Sequence, residues 1–398
     1  MKRAGRIQGL SGSGTVGAME RVAELRRAGV DVINLTAGDP DFPTPQHIKE
    51  AANRAIEEDF THYTPVTGIP ELREVVAAKY RSEYGASVEA DEVLITCGAK
   101  QALFSLALSL LDEGDEVILL RPFWPTYLAL TNLVGAKARF LTTREAEGFR
   151  VQAPKVEKLF SSRTKAVVLN FPCNPTGALV DLDDLEVIVR KALARNVYVI
   201  SDESYEKIVF DREPISALLF REENVIVVGS FSKNYAMTGW RIGYVIGTKE
   251  LINDLAVMQS HSITHPCSIA QKAALAALTG GQGGVAHMVR EYRRRRDRVV
   301  EDLNRIPGVS CHLPEGGFYA FPNVSAFLEG DSTALVGRLV KAGVAVVPGT
   351  AFGCDGFVRI SFSYPMEKVK QGVDRMAQTF AELNPGPVPS DASAHPVE

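Results

Sequence analysis

Short runs of apolar, β-branched residues alternate with segments of helix length through the middle of the chain, from about Asp91 to Met258. Neighbouring parallel strands need a crossover of helix length between them. The alternation therefore predicts an α/β fold with a mainly parallel seven-stranded sheet and helices on both faces. The predicted strands are EVLIT, DEVILL, AKARFL, KAVVLN, VYVIS, NVIVVGS and GYVIG.

The pattern changes after the glycine-rich stretch LTGGQGGV, which is a candidate joint. Beyond it lie a basic helix, REYRRRRDRVVEDL, and shorter strand signals, GFYAFP, GVAVVPG and FVRISFS. We predict a large domain over residues 46–284 and a smaller α+β domain over residues 285–384, to which the N-terminal segment 1–45 also belongs. The Pro-rich, polar tail 385–398 has little to bury and is predicted to be disordered.

The composition is that of an ordinary globular protein, with 398 residues, 45% hydrophobic and 23% charged, and a net charge of −4. The charges are spread along the chain, so no global field would attract nucleic acid or anionic lipid. The run Arg293 to Arg296 is flanked by acidic residues, and we predict that it forms a solvated, charge-paired helix surface. We expect small-molecule partners and no nucleic acid.

The five cysteines are widely spaced and form no pair or cluster of zinc-binding spacing, and the seven histidines show no metal-binding motif. The N-terminus lacks the apolar core of a signal peptide, and no apolar run is long enough to span a membrane. We therefore predict a cytoplasmic protein with no metal site and no membrane contact.

Chemically distinctive residues follow several predicted strands. The stretch TCGAK places Gly98, Ala99 and Lys100 where a strand gives way to a long apolar helix. Unpaired N–H groups at such a point suit a phosphate, although a plain strand-to-helix turn has the same pattern. Asn174 lies in an Asn-Pro turn after the strand KAVVLN, and an ordinary turn explains that stretch equally well.

Two further residues carry more specific chemistry. Asp202 directly follows an apolar strand, where an unpaired carboxylate is costly, so it should face a cation or a donor. Lys233 follows another strand, with Ser230 and Arg241 near it in sequence. A desolvated lysine amine shifts toward its neutral form and can form a Schiff base with a carbonyl. A carboxylate for a ring nitrogen, a phosphate cradle, a turn amide and a lysine at the strand ends of one sheet indicate a pyridoxal phosphate site.

These motifs carry a resemblance to a known family. The chain resembles class I pyridoxal-phosphate aminotransferases, and especially bacterial aspartate aminotransferases, from INLTAGDPDFPTP to VRISFS, with NPTG, SDESYE and SFSKNYAMTGWRIGY in this order. The resemblance implies that Lys233 binds the cofactor as a Schiff base and carries the proton, while Asp202 pairs with the pyridinium nitrogen. It also implies that Asn174 and Tyr205 hydrogen-bond the phenolate oxygen and that Trp124 stacks on the ring.

The remaining site residues are likewise implied by the resemblance. Arg359 would clamp the substrate α-carboxylate, with help from the backbone of Gly38. Tyr63 would reach the phosphate of a partner subunit, so the resemblance implies a homodimer with shared sites. The cofactor phosphate would be held by Gly98, Ala99, Ser230 and Arg241, and Lys100, Trp124 and Asn174 would also border the substrate.

The implied reaction is ping-pong transamination between an L-amino acid and a 2-oxo acid such as 2-oxoglutarate, with closure of the smaller domain about GGQGG. Lys100, helped by Ser13 and Thr15, would meet a second substrate carboxylate, which favours aspartate as the donor. The stretches GDPDFPTP and PFWPTY differ from the commonest family forms, which leaves alanine, aromatic amino acids, kynurenine and prephenate as alternatives. A C–S β-lyase on the same scaffold also stays open, and a regulator's sensor domain is disfavoured because Lys233, Asp202 and Arg359 are intact.

Overall fold

The computed structural model describes residues 4–8, 10, 22, 24, 27 and 29–383. Ser13, Thr15 and the tail 385–398 lie outside the described residues, so the predictions made for them are untested. No helix of the described chain is long and apolar enough to cross a membrane.

The strands account for every predicted run. Their bounds, in chain order, are β1 (Ile33–Asn34), β2 (Val93–Thr96), β3 (Glu116–Arg121), β4 (Lys137–Thr142), β5 (Thr164–Asn170), β6 (Tyr198–Asp202), β7 (Val225–Ser230), β8 (Gly243–Ile246), β9 (Tyr319–Ala320), β10 (Val344–Ala345), β11 (Val347–Pro348) and β12 (Val358–Ser361). Seven of them form one sheet in the order β2-β8-β7-β6-β5-β3-β4. These seven correspond one to one to the seven predicted strands.

The large sheet is mainly parallel, as predicted. The pairs formed by β7, β6, β5, β3 and β4 are all parallel, whereas β8 is antiparallel to both of its neighbours, β2 and β7. The carboxyl ends of β2 and of the parallel strands therefore share one edge of the sheet with the beginning of β8. Ligand sites of open α/β sheets lie at this edge.

Helices cover both faces of this sheet. Alternate residues of one strand enter different cores: in β2, Val93 and Ile95 pack on one side and Leu94 on the other. The α-helices of the described chain are α1 (Gly5–Gln8), α2 (Gln46–Glu57), α3 (Pro70–Tyr84), α4 (Ala99–Leu110), α5 (Pro125–Leu133), α6 (Ala153–Glu157), α7 (Leu182–Leu193), α8 (Phe231–Asn234), α9 (Lys249–Ser260), α10 (Ser268–Thr279), α11 (Gly283–Asn304), α12 (Ser332–Lys341) and α13 (Met366–Glu382).

A further core lies between α11, α12, α13 and the short strands. A three-stranded antiparallel sheet in the order β11-β12-β9 and the parallel pair β1-β10 contribute to it. Ile33 and Leu35, from the N-terminal part of the chain, pack there with Val344 and Val373. The proposed two-domain division would assign this core to the smaller domain.

The arginine run in α11 differs from its prediction. Arg293, Arg294, Arg295 and Arg296 all form ion pairs, as expected. Arg295 and Arg296, however, are buried, with 5% and 2% of their surface exposed. Successive residues point in different directions around a helix, so four in a row must include some that face the core. The predicted pairing is confirmed, and the predicted solvation is wrong for two of the four.

Candidate active site

One cavity, of about 240 Å³, lies at the carboxyl edge of the large sheet. Asn170 ends β5, Asp202 ends β6 and Ser230 ends β7, and all three line the cavity. The topology thus brings together residues that are far apart in sequence. The predicted site residues that line it are Gly38, Ala99, Lys100, Trp124, Asn174, Asp202, Tyr205, Ser230, Lys233, Arg241 and Arg359.

Two predicted site residues do not line this cavity. Gly98 lies directly before α4 and has a positive φ of 79°. A Cβ at Gly98 would come within 2.7 Å of Arg241 Nη2, so the close approach of the guanidinium depends on glycine. Tyr63 lies elsewhere, with 88% of its surface exposed and its ring edge-on to His265 at 5.5 Å. Its contact with a partner subunit stays a prediction.

An anion cradle forms where α4 begins. Ala99 is the first residue of α4, whose first N–H groups have no partner within the helix. Arg241 precedes β8 in a left-handed conformation, with φ of 53°, and its Nη1 donates to the Thr238 carbonyl at 2.8 Å. Because β8 is antiparallel, Arg241 enters at the edge where β2 and β7 end. The N–H groups, the guanidinium and the nearby Ser230 hydroxyl suit a phosphate.

Lys233 lies in α8, the short helix that directly follows β7. Its Nζ donates to the Gly38 carbonyl. Burial lowers the pKa of Lys233 to about 8; Asp39 acts in the opposite direction, and the positive charge of Arg241 lowers the pKa further. An amine with this pKa is neutral in a useful fraction of molecules near neutral pH, so it can attack a carbonyl and carry a proton.

Asp202 is buried, with 3% of its surface exposed. Its Oδ2 accepts from the Tyr127 hydroxyl at 2.8 Å, and its Oδ1 accepts from the Ser204 hydroxyl at 2.6 Å. These are the donors that its position at a strand end led us to expect. Burial raises the pKa of Asp202, and the hydrogen bonds from Ser204 and Tyr127 oppose that rise. A cationic ring nitrogen would stabilise the carboxylate further.

Arg359 lies in β12 and is buried, with 2% of its surface exposed. Its Nη1 donates to Asn174 Oδ1 at 3.0 Å and its Nη2 to the Thr36 carbonyl at 2.6 Å. Its Nε has no hydrogen-bond partner, and the guanidinium has no ion pair, among the described residues. A buried guanidinium held only by neutral groups is suited to bind an anionic ligand group.

Lys100 and Trp124 form another wall of the cavity. The Lys100 Nζ lies 5.0 Å from the centre of the Trp124 ring and forms no ion pair with any residue that the structure describes. Burial lowers the pKa of Lys100, and the charge of Arg241 acts in the same direction. Lys100 is therefore a second cation, besides Arg359, that is available to an anionic group in this cavity.

Tyr205 and Tyr319 meet at the floor of the cavity. Their hydroxyl oxygens are 3.0 Å apart, and both side chains are buried. The backbone of Gly38 lies so close that a Cβ there would come within 2.0 Å of the Tyr319 hydroxyl. Gly38 is thus the residue that leaves room for both Tyr319 and the Lys233 hydrogen bond.

Sequence reasoning missed several lining residues. Tyr127 lies three residues after Trp124 in α5, and this helical spacing could have indicated that the two share a surface. Asn170 is the last residue of a predicted strand, which was a usable signal. Tyr319 had no such signal, because its place depends on how β9 packs. The lining residues that were not predicted are Thr36, Tyr127, Asn170, Ser204, Ser232 and Tyr319.

The cavity fits pyridoxal 5′-phosphate by the chemistry of its donors. A lysine with a lowered pKa, a buried carboxylate and an anion cradle surround one space. Glycine at position 98 leaves space for Arg241, which agrees with a site for the cofactor phosphate. The Nε of Arg359 has no hydrogen-bond partner among the described residues, which agrees with a site for a substrate carboxylate.

Comparison with known proteins agrees with this fold. Residues 30–376 match the family of aminotransferases of class I and II. The chain belongs to this family. It is 43% identical to the aspartate/prephenate aminotransferase of Thermus thermophilus, over 94% of this chain and 98% of that protein. It is 38% identical to the aspartate aminotransferase of Geobacillus stearothermophilus, over 94% and 98% of the two chains.

Solved structures show the same relationship. The structure of Thermus thermophilus aspartate aminotransferase with maleate superposes with a TM-score of 0.92, at 42% identity, over 95% of this chain and 100% of that one. The aspartate aminotransferase of Rhizobium meliloti also gives a TM-score of 0.92, at 37% identity, over 96% and 100% of the two chains. The predicted family and fold class are confirmed.

Proposed function

We propose that this aminotransferase uses pyridoxal 5′-phosphate to transfer the amino group of aspartate to a 2-oxo acid such as 2-oxoglutarate, by a ping-pong mechanism. The observation that carries the choice of a dicarboxylic substrate is the pair of cations, Arg359 and Lys100, on the walls of one cavity. The names of the relatives in Thermus thermophilus and Geobacillus stearothermophilus support the same choice.

The residues around the cavity suggest how the cofactor would be held. Asp202 would pair with its ring nitrogen, and the start of α4 with Ser230 and Arg241 would bind its phosphate. Tyr205 and Asn174 would hydrogen-bond its phenolic oxygen, and Trp124 would stack on its ring. The bound cofactor supplies an electron sink for the electron pair left when the Cα–H bond of the amino acid breaks.

Lys233 is the proton carrier in this proposal. Its pKa of about 8 lets the amine accept a proton and give it back near neutral pH. Arg359 would bind the α-carboxylate through a fork of two N–H groups, which fixes the orientation of the amino acid relative to Lys233. Lys100 would bind the side-chain carboxylate and so select aspartate and glutamate.

The first experiment records the absorption spectrum of the protein with pyridoxal phosphate and then adds one amino acid to each sample: aspartate, glutamate, alanine, tyrosine or kynurenine. We expect a visible band from the cofactor attached to Lys233, and fastest loss of that band with aspartate. Absence of the band would remove Lys233 as the attachment site, and a faster reaction with tyrosine or kynurenine would overturn the choice of donor.

Lys100→Met tests the dicarboxylate preference directly. Loss of one hydrogen bond to a charged group costs roughly 1.5–3 kcal/mol, so kcat/KM for aspartate should fall about 10- to 100-fold. Alanine has no second carboxylate and serves as the internal control, because its kcat/KM should change little. An equal fall for both amino acids would show that Lys100 serves the cofactor or the fold instead.

Prephenate is a second candidate acceptor. The relative in Thermus thermophilus is named for aspartate and prephenate, and prephenate is itself a 2-oxo acid with a second carboxylate. Lys100 and Arg359 would then meet its two carboxylates. Return of the cofactor to its pyridoxal form as fast with prephenate as with 2-oxoglutarate would support this activity. Release of pyruvate and ammonia from cystathionine would instead indicate the C–S β-lyase alternative.

We also infer a homodimer with shared sites and a cytoplasmic location. The ring of Tyr63 is exposed and does not line the cavity of its own chain. This supports the homodimer, because the family resemblance assigns Tyr63 to the site of a partner subunit. The five cysteines, all of them free, support the second, since disulfides form in exported proteins and rarely in the cytoplasm. Sedimentation of the purified protein would test the dimer.

A further inference from the structure

We propose that Tyr319 is a positioning residue that links the substrate-carboxylate end of the cavity, at Arg359, to the cofactor-ring end, at Tyr205. Its hydroxyl would donate to the Tyr205 oxygen and thereby direct the Tyr205 proton toward the cofactor. This inference rests on the proposed function, because the role of Tyr205 toward the ring belongs to that proposal.

The two hydroxyls form one hydrogen bond with each other. Their oxygens are 3.0 Å apart, and either of them could donate. Only one proton lies between them, so the direction is set by what else Tyr205 binds. When Tyr205 donates to the phenolic oxygen of the cofactor, its own oxygen can only accept from Tyr319. A donor that also accepts is a stronger donor, because hydrogen bonds in a chain polarise one another.

The same side chain supports Arg359. The Tyr319 ring centre lies 4.3 Å from the guanidinium carbon of Arg359. In the antiparallel pair of β9 and β12, Tyr319 lies opposite Ser361, and Arg359 is two residues from Ser361 and so faces the same side. The small sheet therefore fixes the ring under the guanidinium, where the negative ring face stabilises the cation.

Gly38 keeps the Tyr319 hydroxyl in place. A Cβ at position 38 would lie 2.0 Å from this oxygen, so the hydroxyl is confined between the Gly38 backbone and Tyr205. The Gly38 carbonyl also accepts from Lys233. One tyrosine thus contacts the carboxylate clamp, the ring-binding tyrosine and the backbone segment that Lys233 reaches.

Tyr319→Phe removes only the hydroxyl and keeps the ring under Arg359. The chain offers a matched control in Tyr292→Phe: Tyr292 is also fully buried and packs on the neighbouring Phe318, but its hydroxyl has no hydrogen-bond partner among the described residues. Both variants lose one buried oxygen, and only Tyr319→Phe loses a link to Tyr205.

The measured quantity is the pH midpoint of the visible absorbance of the cofactor-loaded protein. A hydrogen bond to the phenolic oxygen weakens its attraction for the nearby proton on the Lys233 nitrogen, so weakening that bond should raise the midpoint. We expect Tyr319→Phe to raise the pH midpoint by about 0.5 pH, which is roughly a threefold decrease in the acid dissociation constant. Tyr205→Phe should raise the midpoint in the same direction and by more. Tyr292→Phe should leave it unchanged. The charged groups near Lys233, namely Asp39, Arg241, Arg359 and Lys100, are the same in all of these variants.

A double-mutant cycle separates action through Tyr205 from a general loosening of the site. In the Tyr205→Phe background, Tyr319→Phe should add no further shift, because the link is already lost. Additive shifts, or equal midpoints for Tyr319→Phe and the unmutated protein, would overturn the proposal. Absence of any visible band in the unmutated protein would instead refute the attachment at Lys233, which is a failure of the proposed function.

A second measurement tests the Arg359 end and does not depend on turnover. Succinate carries two carboxylates and has no amino group to transfer, so its affinity for the loaded protein reports binding alone. Tyr319→Phe should retain that affinity, and Tyr319→Leu should weaken it about threefold to thirtyfold, since the ring under the guanidinium is lost. Equal affinity of the Leu and Phe variants would remove the ring from the proposal.

Discussion

Two lysines of the α/β part of the chain differ in the groups around them. Lys233 points into the cavity, has no carboxylate in ion-pair distance among the described residues, and has its pKa lowered by burial to about 8. Lys79, in α3, is buried against Glu206, with Nζ and Oε1 2.9 Å apart. Burial alone therefore does not make a lysine reactive; a buried lysine becomes a nucleophile when no carboxylate holds its proton.

The two carboxylates of the same turn differ in the same way. Among the described residues, Asp202 accepts from neutral donors, the Tyr127 and Ser204 hydroxyls and the Ser204 N–H, so its charge is left for a ligand. Glu206 is held by Lys79 and by the Tyr84 hydroxyl at 2.9 Å. Burial acts to raise the pKa of Glu206, but the charges of Lys79 and Lys207 and the hydrogen bonds from Lys79 and Tyr84 together outweigh burial, and the net pKa is lowered. Asp202 is therefore available to a ligand, whereas Glu206 stabilises the turn through its contacts with Lys79 and Tyr84.

The largest expected effect is a difference in turnover between variants of Lys233 and Lys79. Lys233→Ala should abolish turnover while the protein still binds pyridoxal phosphate noncovalently, because the amine that attacks and carries the proton is gone. Lys79→Met should keep a measurable turnover in the fraction that folds. Steady-state transamination with aspartate measures both variants. Retained turnover in Lys233→Ala would contradict the assignment of the cavity as the active site.

The next effect concerns stability. Glu206→Gln removes the buried counter-charge of Lys79 and leaves it, among the described residues, only the more distant and exposed carboxylate of Glu83, which should lower the free energy of unfolding by about 3–5 kcal/mol. Glu83→Gln is the matched control, because Glu83 also lies near Lys79, at 3.9 Å, but is 41% exposed and should cost less than about 1 kcal/mol. Urea unfolding of the cofactor-free protein measures both variants. Equal losses in the free energy of unfolding for the two variants would show that Glu206 does not stabilise the fold through Lys79.

The smallest expected effect is a dependence of stability on pH that comes from Glu203. Glu203 is fully buried, and burial raises its pKa from 4.5 to about 7, although Ala217 N–H and the Ser201 and Ser216 hydroxyls donate to it. At Glu203 the folded protein therefore binds more protons than the unfolded chain between about pH 4.5 and pH 7. The contribution of Glu203 to stability should fall as the pH rises through this window, by about 3 kcal/mol, since each pKa unit is worth about 1.4 kcal/mol.

Glu203→Gln isolates this contribution. The amide keeps an acceptor and has no proton to lose, so the variant should show a flatter dependence of the urea midpoint on pH between about 4.5 and 7. Asp202, whose pKa is also raised by burial, is present in both proteins and drops out of the difference. Parallel pH profiles for the two proteins would contradict the role assigned to Glu203.

The sheet was predictable because its strands are buried on both faces and so appear as short continuous apolar runs. Residues at strand ends, such as Asp202 and Lys233, followed from the rule that parallel strands present their carboxyl ends at one edge. The antiparallel direction of β8 was not predictable, because a single apolar run carries no direction. Tyr319 was missed since its place depends on the packing of β9 against β12, and the burial of Arg295 and Arg296 was missed since it depends on how α11 lies on the core.

The antiparallel strand also has a consequence for the order in which the protein assembles. In the large sheet that the described residues form, β2 is an edge strand whose partner is β8, so we expect residues 93–96 to pair after residues 243–246 are in place. Pairing them closes a very long loop, which is entropically costly unless the intervening strands have already shortened it. The anion cradle between Gly98 and Arg241 should therefore be among the last features to form, and capture of the cofactor phosphate would report that the rest of the sheet is complete.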